Sequence, residues 1–289
     1  MKYKIVPLVT GFKGGKIDPL LLEGHAKRLL DSGVDYLFAM GSTGLGPALS
    51  FDERRLCLET LAKFQDRLIC QVGSLNLDES VRLAELAKAR GAKYISALPP
   101  YYFPRVPEDQ MVRYFTKISA VHPTLLYNFP LTTGYDVSPS VVKAVNAGGG
   151  DIVGVKDTVA DVPHMMAFKR ELGSDFLVFS GPDAVILPAL GSGIDGAVAG
   201  SGNYIPRIFA ALLQEYQTEK GERLQRSVTS VAKLAQKYGQ WSANYSLVRL
   251  VKGYDPGDPR PPIFPLSPED EAKMGSELKE ILPGGDSPA

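Results

Sequence analysis

The sequence has few of the side chains that most often bind metals or form disulfides. Its 289 residues include three histidines, His25, His122 and His164, and two cysteines, Cys57 and Cys70. No histidines stand in an HxH or HExxH pattern, and neither cysteine belongs to a CxxC pair. We therefore expect no metal site, and we interpret the cysteines as buried free thiols, one in a predicted helix and one in a predicted strand.

The chain also lacks a net charge and long apolar runs. Its 32 basic and 32 acidic side chains balance, which gives no electrostatic reason to expect nucleic acid or a membrane surface as a partner. No apolar run approaches the roughly 18 residues that span a bilayer. The first four residues pass into an apolar run without the pattern of a cleaved signal. We expect a cytoplasmic protein that acts on a small molecule.

Short apolar runs alternate with amphipathic stretches along most of the chain. The runs recur at intervals of roughly 25 to 30 residues, the length of one strand and one helix. They are apolar throughout, which is typical of strands buried on both faces of a parallel sheet. Eight strands are predicted: Ile5–Thr10, Val34–Gly41, Leu68–Gly73, Tyr94–Leu98, Thr124–Asn128, Ile152–Lys156, Phe176–Ser180 and Gly196–Ala199.

Helix start and stop signals lie between these runs. Asp18 and Ser138 each place a capping side chain before a proline that suits the first helical position. Ser50 and Glu53 have the spacing of a capping box. Glycines that suit the end of a helix follow three helical stretches: Gly33, Gly91 and Gly193.

The number of strand–helix units predicts the fold class. Eight units fill about 215 residues and most simply close into an α/β (β/α)8 TIM barrel, with a doubly wound open sheet as the alternative. We predict the barrel over residues 1–218, a packed C-terminal helical extension over 219–282 and a disordered tail over 283–289. The helices predicted after the eighth strand are 202–213, which would complete the barrel, 222–238 and 241–253.

Polar residues that close the predicted strands are the candidates for chemistry, because barrel active sites lie at the carboxyl ends of the strands. Lys156 closes the sixth strand. It is either a solvated lysine on the rim or an amine that apolar surroundings make nucleophilic toward a carbonyl. Tyr127 closes the fifth strand, and it either packs in the core or relays protons beside a lysine-derived imine.

Two loops follow other strands. Residues 41–47 are glycine-rich but match neither a P-loop nor a dinucleotide-binding pattern. They form either a plain turn or a cradle in which backbone amides and the hydroxyls of Ser42 and Thr43 hold a carboxylate. Residues 99–105 form either a rigid aromatic loop against a neighbouring subunit or a loop whose Arg105 binds a phosphate or carboxylate.

Four of these segments together resemble the dihydrodipicolinate synthase / N-acetylneuraminate lyase superfamily of class I aldolases. They stand in the family's order at strand ends: Gly41–Gly44, Pro100–Tyr102, Tyr127–Pro130 and Gly154–Asp157. Within the superfamily the chain is most similar to the archaeal 2-keto-3-deoxygluconate aldolases. That similarity rests on further segments: Gly44–Pro47, Gln71–Asn76, Gly253–Tyr254 and Arg260–Pro265.

The resemblance implies reversible cleavage of 2-keto-3-deoxygluconate to pyruvate and glyceraldehyde, or of its 6-phosphate to pyruvate and glyceraldehyde 3-phosphate. Lys156 would form the imine and Tyr127 would shuttle protons, while Ser42 and Thr43 would hold the carboxylate. No cofactor is implied, and a homotetramer is expected in which Tyr102 completes a hydroxyl relay. The other substrate contacts that the resemblance implies are Pro7, Asn128, Phe129, Thr158 and Asp183, with Arg105 for a phosphate.

Two departures from the dihydrodipicolinate branch bear on the substrate. Residues 131–134 lack the arginine that follows the Tyr-Asn-Xaa-Pro motif in that branch, and Leu45 stands where it usually has glutamate. Both disfavour aspartate semialdehyde as the acceptor. Besides the position of Arg105, the family's phosphate site has other basic or hydroxyl side chains, and near residues 236–240 we expect these side chains to be replaced. The alternatives are another pyruvate-dependent synthase or lyase of the superfamily, and a keto-acid-binding barrel without turnover.

Overall fold

The computed structural model describes residues 2–103 and 105–287, and within them eight parallel strands form a closed barrel. The predicted (β/α)8 fold is therefore confirmed. The eighth strand closes on the first, with Tyr3 opposite Gly196. We number the barrel strands β1 (Tyr3–Pro7), β2 (Tyr36–Ala39), β3 (Leu68–Gln71), β4 (Tyr94–Ala97), β5 (Thr124–Asn128), β6 (Ile152–Asp157), β7 (Leu177–Ser180) and β8 (Gly196–Val198).

All eight predicted strands are present, and most boundaries agree within two residues. The largest difference is in β1, which ends at Pro7 because the following residues leave the barrel wall. There the Thr10 hydroxyl donates to the Gly44 carbonyl (2.6 Å). A two-stranded antiparallel hairpin of Phe12–Lys13 and Lys16–Ile17, which was not predicted from the sequence, lies outside the barrel.

Twelve α-helices occur in the described residues. The first nine lie between or directly after the strands, and the last three follow the barrel. They are α1 (Pro19–Asp31), α2 (Phe51–Leu61), α3 (Leu77–Ala89), α4 (Glu108–Ser119), α5 (Pro130–Thr133), α6 (Pro139–Ala147), α7 (Val162–Leu172), α8 (Ile186–Gly191), α9 (Pro206–Gln214), α10 (Glu219–Lys237), α11 (Gln240–Lys252) and α12 (Pro268–Ile281).

The predicted helix starts are confirmed with one exception. The Asp18 carboxylate accepts from two backbone N–H groups of α1, and Ser50 and Glu53 form the reciprocal capping box of α2. Ser138 precedes α6 as expected, but its hydroxyl lies 2.7 Å from that of Ser140 and does not cap the helix. The predicted terminal glycines all have positive φ: Gly33, Gly91 and Gly193.

Side chains fill most of the inside of the barrel. The inner cluster is apolar and aromatic and comprises Ile5, Phe38, Ile69, Leu98, Leu125, Tyr127, Phe179 and Val198. At the amino ends of the strands, the rings of Tyr3, Tyr36 and Tyr94 pack edge-on or tilted against one another. Cys57 and Cys70 are buried and unpaired with each other, as predicted.

Helix α10 packs against α9 and against residues 183–185 and 200–203, which follow β7 and β8, and α11 contacts residues 200–203. Helix α10 contacts α9, α11 and α12. Helix α9 begins at Pro206, four residues later than predicted, because residues 200–203 form a short 3-10 turn. The domain division at residues 218 and 282 stays a prediction. The disordered tail over 283–289 also stays a prediction; within it, the Asp286 carboxylate lies 2.7 Å from the Lys252 ammonium. Residues 288 and 289 lie outside the described part. None of the helices described is long and apolar enough to cross a bilayer.

Candidate active site

Strands β5 and β6 place Tyr127 and Lys156 side by side at the mouth of the barrel. The two residues are register partners, and both are buried, with exposed fractions of 2% and 5%. The Lys156 Nζ lies 3.9 Å from the centre of the Tyr127 ring and 4.9 Å from that of Phe38. This position contradicts the alternative of a solvated rim lysine. Contact with two aromatic faces also restrains the ammonium group.

The Tyr127 phenol is oriented by two rings and one hydroxyl. Phe38 packs edge-on against its ring (5.6 Å between centroids), and Phe129 stacks on it (5.7 Å). The phenolic oxygen lies 3.3 Å from the Ser42 Oγ. Tyr127 therefore joins the lysine of β6 to the glycine-rich loop after β2, and a proton can pass between the two hydroxyls.

The glycine-rich loop folds back on itself directly after β2. Met40 has a left-handed φ of 59°, and the Gly46 N–H donates to the Gly41 carbonyl (3.0 Å). A Cβ at Gly46 would lie 1.7 Å from the Met40 carbonyl oxygen, so this position accepts only glycine without rearrangement. In the described residues, the amides of Ser42 and Thr43 have no protein acceptor. They are free to donate to an anion.

A cavity of about 300 Å³ opens beside this pair at the carboxyl ends of the strands. Six of the predicted site residues line it: Pro7, Thr43, Tyr127, Phe129, Thr158 and Asp183. Lys156 and Ser42 adjoin it through their contacts with Tyr127. The structure thus brings together eight of the residues that the sequence analysis selected.

The opposite wall comes from the helices that follow the barrel. The resemblance placed part of a phosphate site near residues 236–240, but the rest of this wall was not predicted from the sequence. Helices α10 and α11 contribute its polar residues: Thr229, Lys233, Gln236, Gln240 and Asn244. Trp241 adds an indole to the same wall. The available signal was the three-residue spacing of Lys233 and Gln236, which places them on one face of α10.

The surroundings of Asp183, which lines the cavity, alter its charge state. Its Oδ1 accepts from the Ser201 hydroxyl (3.0 Å). Burial raises the pKa of Asp183 to about 6, although the hydrogen bonds of Ser201 and the charge of Lys156 oppose this change. The carboxyl group is therefore protonated in part of the molecules near neutral pH.

Three predicted site residues, all within the described part, neither line the cavity nor adjoin it. Asn128 is fully buried; its Nδ2 donates to Asp136 (2.8 Å) and Asp157 (3.1 Å), outside the barrel. Tyr102 and Arg105 lie on the exposed loop after β4, and Tyr102 has an exposed fraction of 72%. In a single chain, these three side chains do not reach the space beside Lys156.

Comparison with known proteins extends over nearly the whole chain. The sequence profile of the dihydrodipicolinate synthetase family matches residues 2–281. A 2-dehydro-3-deoxy-D-gluconate/2-dehydro-3-deoxy-phosphogluconate aldolase of Thermoproteus tenax is 39% identical over 273 residues, which cover 93% of this chain and 88% of that protein.

Two solved structures have closely similar folds. KD(P)GA from T. tenax has a TM-score of 0.92 at 36% identity, covering 97% of this chain and 99% of that one. The Sulfolobus 2-keto-3-deoxygluconate aldolase in complex with D-KDPG has a TM-score of 0.91 at 37% identity, covering 98% and 95%. The family profile, the full-length relatives and the shared barrel agree, and this chain belongs to the dihydrodipicolinate synthetase family.

Proposed function

We propose that the protein is a class I aldolase, a carbon–carbon lyase that reversibly cleaves 2-keto-3-deoxygluconate to pyruvate and glyceraldehyde. The observation that carries this proposal is the buried Lys156 amine packed on the Tyr127 ring, beside a loop with free amides. Relatives with 38–40% identity are aldolases acting on this sugar acid or its phosphate, which supports the same chemistry here.

In the first step, the Lys156 amine attacks the C2 keto carbon of the substrate, and loss of water leaves a protonated imine. The amides and hydroxyls of Ser42 and Thr43 hold the adjacent C1 carboxylate. Because the loop that carries them is locked by the turn at Gly46, the carboxylate fixes the keto carbon beside the amine.

The second step breaks the bond between C3 and C4. The proton of the C4 hydroxyl moves to the Tyr127 oxygen, as Tyr127 passes its own proton to the Ser42 oxygen 3.3 Å away and Ser42 releases its own proton to solvent. The electron pair of the C3–C4 bond forms the C2=C3 double bond of a neutral enamine, and glyceraldehyde leaves. Protonation at C3 and hydrolysis of the imine then release pyruvate and restore the lysine.

The wall formed by α10 and α11 suits the hydroxylated end of a six-carbon sugar acid. It presents amides and one ammonium group, from Gln236, Gln240, Asn244 and Lys233. These groups exchange hydrogen bonds with hydroxyls at C5 and C6. Use of the 6-phosphate is the second candidate, because Lys233 places one cation in this wall.

We also propose a homotetramer that acts in the cytoplasm. The loop after β4 exposes two large aromatic side chains, Tyr102 (72%) and Phe103 (56%), which suit burial against a second copy. In such an assembly, Tyr102 would reach a neighbouring site. The two free cysteines suit a reducing compartment.

Steady-state cleavage assays test this function. Pyruvate release is measured with 2-keto-3-deoxygluconate, its 6-phosphate and N-acetylneuraminate, and pyruvate condensation is measured with aspartate semialdehyde. We expect kcat/KM for 2-keto-3-deoxygluconate or its 6-phosphate to exceed the values for N-acetylneuraminate and aspartate semialdehyde by about 100-fold or more. Pyruvate binding without any turnover would instead support a keto-acid-binding barrel.

The matched variants are Lys156→Ala and Lys143→Ala. Lys143 is an exposed lysine of α6 that pairs with Glu171, far from the cavity lining. We expect turnover to fall by about 1000-fold or more in Lys156→Ala and to stay unchanged in Lys143→Ala. Full activity of Lys156→Ala would refute the imine mechanism.

A further inference from the structure

A closed ring of hydrogen bonds lies directly behind the catalytic pair. Neighbouring residues of a strand face opposite sides, so Asn128 and Asp157 point outward while Tyr127 and Lys156 point into the barrel. Asn128 and Asp157 are themselves register partners across β5 and β6. Contacts that hold Asn128 and Asp157 in place therefore also hold the strand ends that carry Tyr127 and Lys156.

His164 of α7 completes the ring. Its Nδ1 lies 2.7 Å from the Asp157 Oδ2, and its Nε2 lies 3.1 Å from the Asp136 Oδ2. The Asn128 Nδ2 donates both of its protons, to the Asp136 Oδ1 (2.8 Å) and the Asp157 Oδ1 (3.1 Å). The Val137 N–H donates to the Asn128 Oδ1 (3.0 Å), which sets the orientation of the amide. Every polar atom of the ring has a partner.

The ring constrains the protonation of His164. With both carboxyl groups ionised, each imidazole nitrogen must donate, so the ring is complete only with an imidazolium. Burial alone would lower the pKa of His164, but the hydrogen bonds and charges of Asp157 and Asp136 outweigh it and raise that pKa. Phe168 packs edge-on against the imidazole of His164. Asp136 and Asp157 are the only charged groups of the described part that contact this imidazole.

We propose that His164 is a positioning residue of the aldolase reaction: in its protonated form it holds the ends of β5 and β6 so that the Lys156 amine stays on the Tyr127 ring. This inference rests on the proposed function. When His164 loses a proton, one bond of the ring is lost and a lone pair faces a carboxylate. The strand ends are then less restrained, and imine formation and proton transfer slow.

Further hydrogen bonds link the ring to the cavity and to the exposed loop after β4. The backbone N–H and the hydroxyl of Thr158 both donate to the Asn128 carbonyl (3.0 and 2.9 Å), and Thr158 lines the cavity. Tyr135, next to Asp136 in sequence, bonds through its hydroxyl to the Phe103 carbonyl and the Val106 N–H. The ring thus ties the exposed aromatic loop to the two catalytic strands.

Full pH profiles of kcat test the proposal with His164→Gln, Asp136→Asn and the control Asp161→Asn. The control removes an exposed carboxylate three residues before His164 that caps no N–H. Each protein is first titrated with pyruvate and borohydride, so that kcat is expressed per lysine able to form the imine. Chemical unfolding measures stability separately.

In the wild-type protein, we expect kcat to fall on the alkaline side as His164 deprotonates. Asp136→Asn removes one of the two charges that favour the imidazolium, so this fall should begin about one pH unit lower. His164→Gln should reduce kcat by about 10-fold at neutral pH with KM changed less than about two-fold, and should abolish that part of the alkaline fall. Asp161→Asn should match the wild-type profile.

Two results would overturn the proposal. If kcat per trapped site and the alkaline profile are unchanged in His164→Gln and Asp136→Asn, the ring is structural only, whatever the unfolding data show. A shift in Asp161→Asn equal to that in Asp136→Asn would mean that general surface charge sets the profile. Failure of the wild-type protein to trap pyruvate is a different outcome, because it refutes the proposed function and with it any part of His164 in that reaction.

Discussion

His25 should make the stability of this protein depend on pH below neutrality. Its ring extends from α1 and is buried, with Nε2 3.0 Å from the Asn203 Oδ1 and Nδ1 2.6 Å from the Tyr254 hydroxyl. The Asn203 oxygen also accepts from the Val9 N–H, so it is an acceptor and His25 must donate from Nε2. Tyr254 then donates to Nδ1, and the ring is neutral.

The size of the effect follows from the pKa of His25. Burial lowers this pKa from 6.5 to about 4, and the charges of Arg28 and Lys252 act in the same direction. The unfolded chain therefore binds a proton between about pH 6.5 and 4 that the folded protein does not bind. This contribution to stability is complete above pH 6.5 and is lost as the pH falls through that window. At about 1.4 kcal/mol for each pKa unit, the total is roughly 3 kcal/mol.

Urea unfolding followed by circular dichroism at pH 7.5, 6.5, 5.5 and 4.5 measures this term. His25→Gln keeps a donor for Asn203 and an acceptor for Tyr254 but does not titrate. The free energy of unfolding of this variant should fall by about 2.5 kcal/mol less than that of the wild-type protein between pH 7.5 and 4.5. His122→Gln is the control, because His122 is partly buried and bonds a single carbonyl, that of Ala92. Parallel curves for wild type and His25→Gln would refute the account of a neutral buried histidine.

Three other substitutions have defined expectations. Tyr127→Phe keeps the ring packing but removes the hydroxyl next to Ser42. The kcat measured in single-turnover assays should fall about 100- to 1000-fold, while borohydride reduction should still trap pyruvate on the lysine. Gly46→Ala places a methyl group against the Met40 carbonyl and should lower the free energy of unfolding by about 2 kcal/mol or more, measured by urea unfolding. Asp183→Asn removes a carboxyl group whose pKa burial raises to about 6, which means that the ionised form destabilises the folded protein. The variant should therefore be more stable than wild type by about 1–2 kcal/mol at pH 8 and should lose this advantage below pH 4. Equal stability of the two proteins at pH 8 would contradict this expectation.

The barrel and its central pair were predictable because they depend on local patterns. Continuous apolar runs define buried parallel strands, and eight of them close into a barrel whose chemistry lies at the strand ends. Once Tyr127 and Lys156 end adjacent strands, their contact follows from the register alone. The glycine-rich loop was also placed correctly, because residue types that permit unusual backbone angles mark such turns.

The rest of the cavity depends on tertiary packing that no local pattern contains. Lys233 and Gln236 lie on a helix whose orientation is set by contacts with α9, α11 and α12. Asn128 is different, because strand alternation alone predicts that it faces away from Tyr127 and from the cavity, whereas the family resemblance implied a substrate contact. Arg105 lies on an exposed loop, where periodicity carries no information about position.

The most direct test of the central claim is reduction with borohydride in the presence of pyruvate, followed by peptide mapping with mass spectrometry. We expect one adduct for each chain, with the mass of a reduced pyruvate imine, located on Lys156 and absent from Lys156→Ala. No adduct, or adducts distributed over exposed lysines such as Lys143, would contradict the claim that the lysine at the end of β6 is the covalent catalyst.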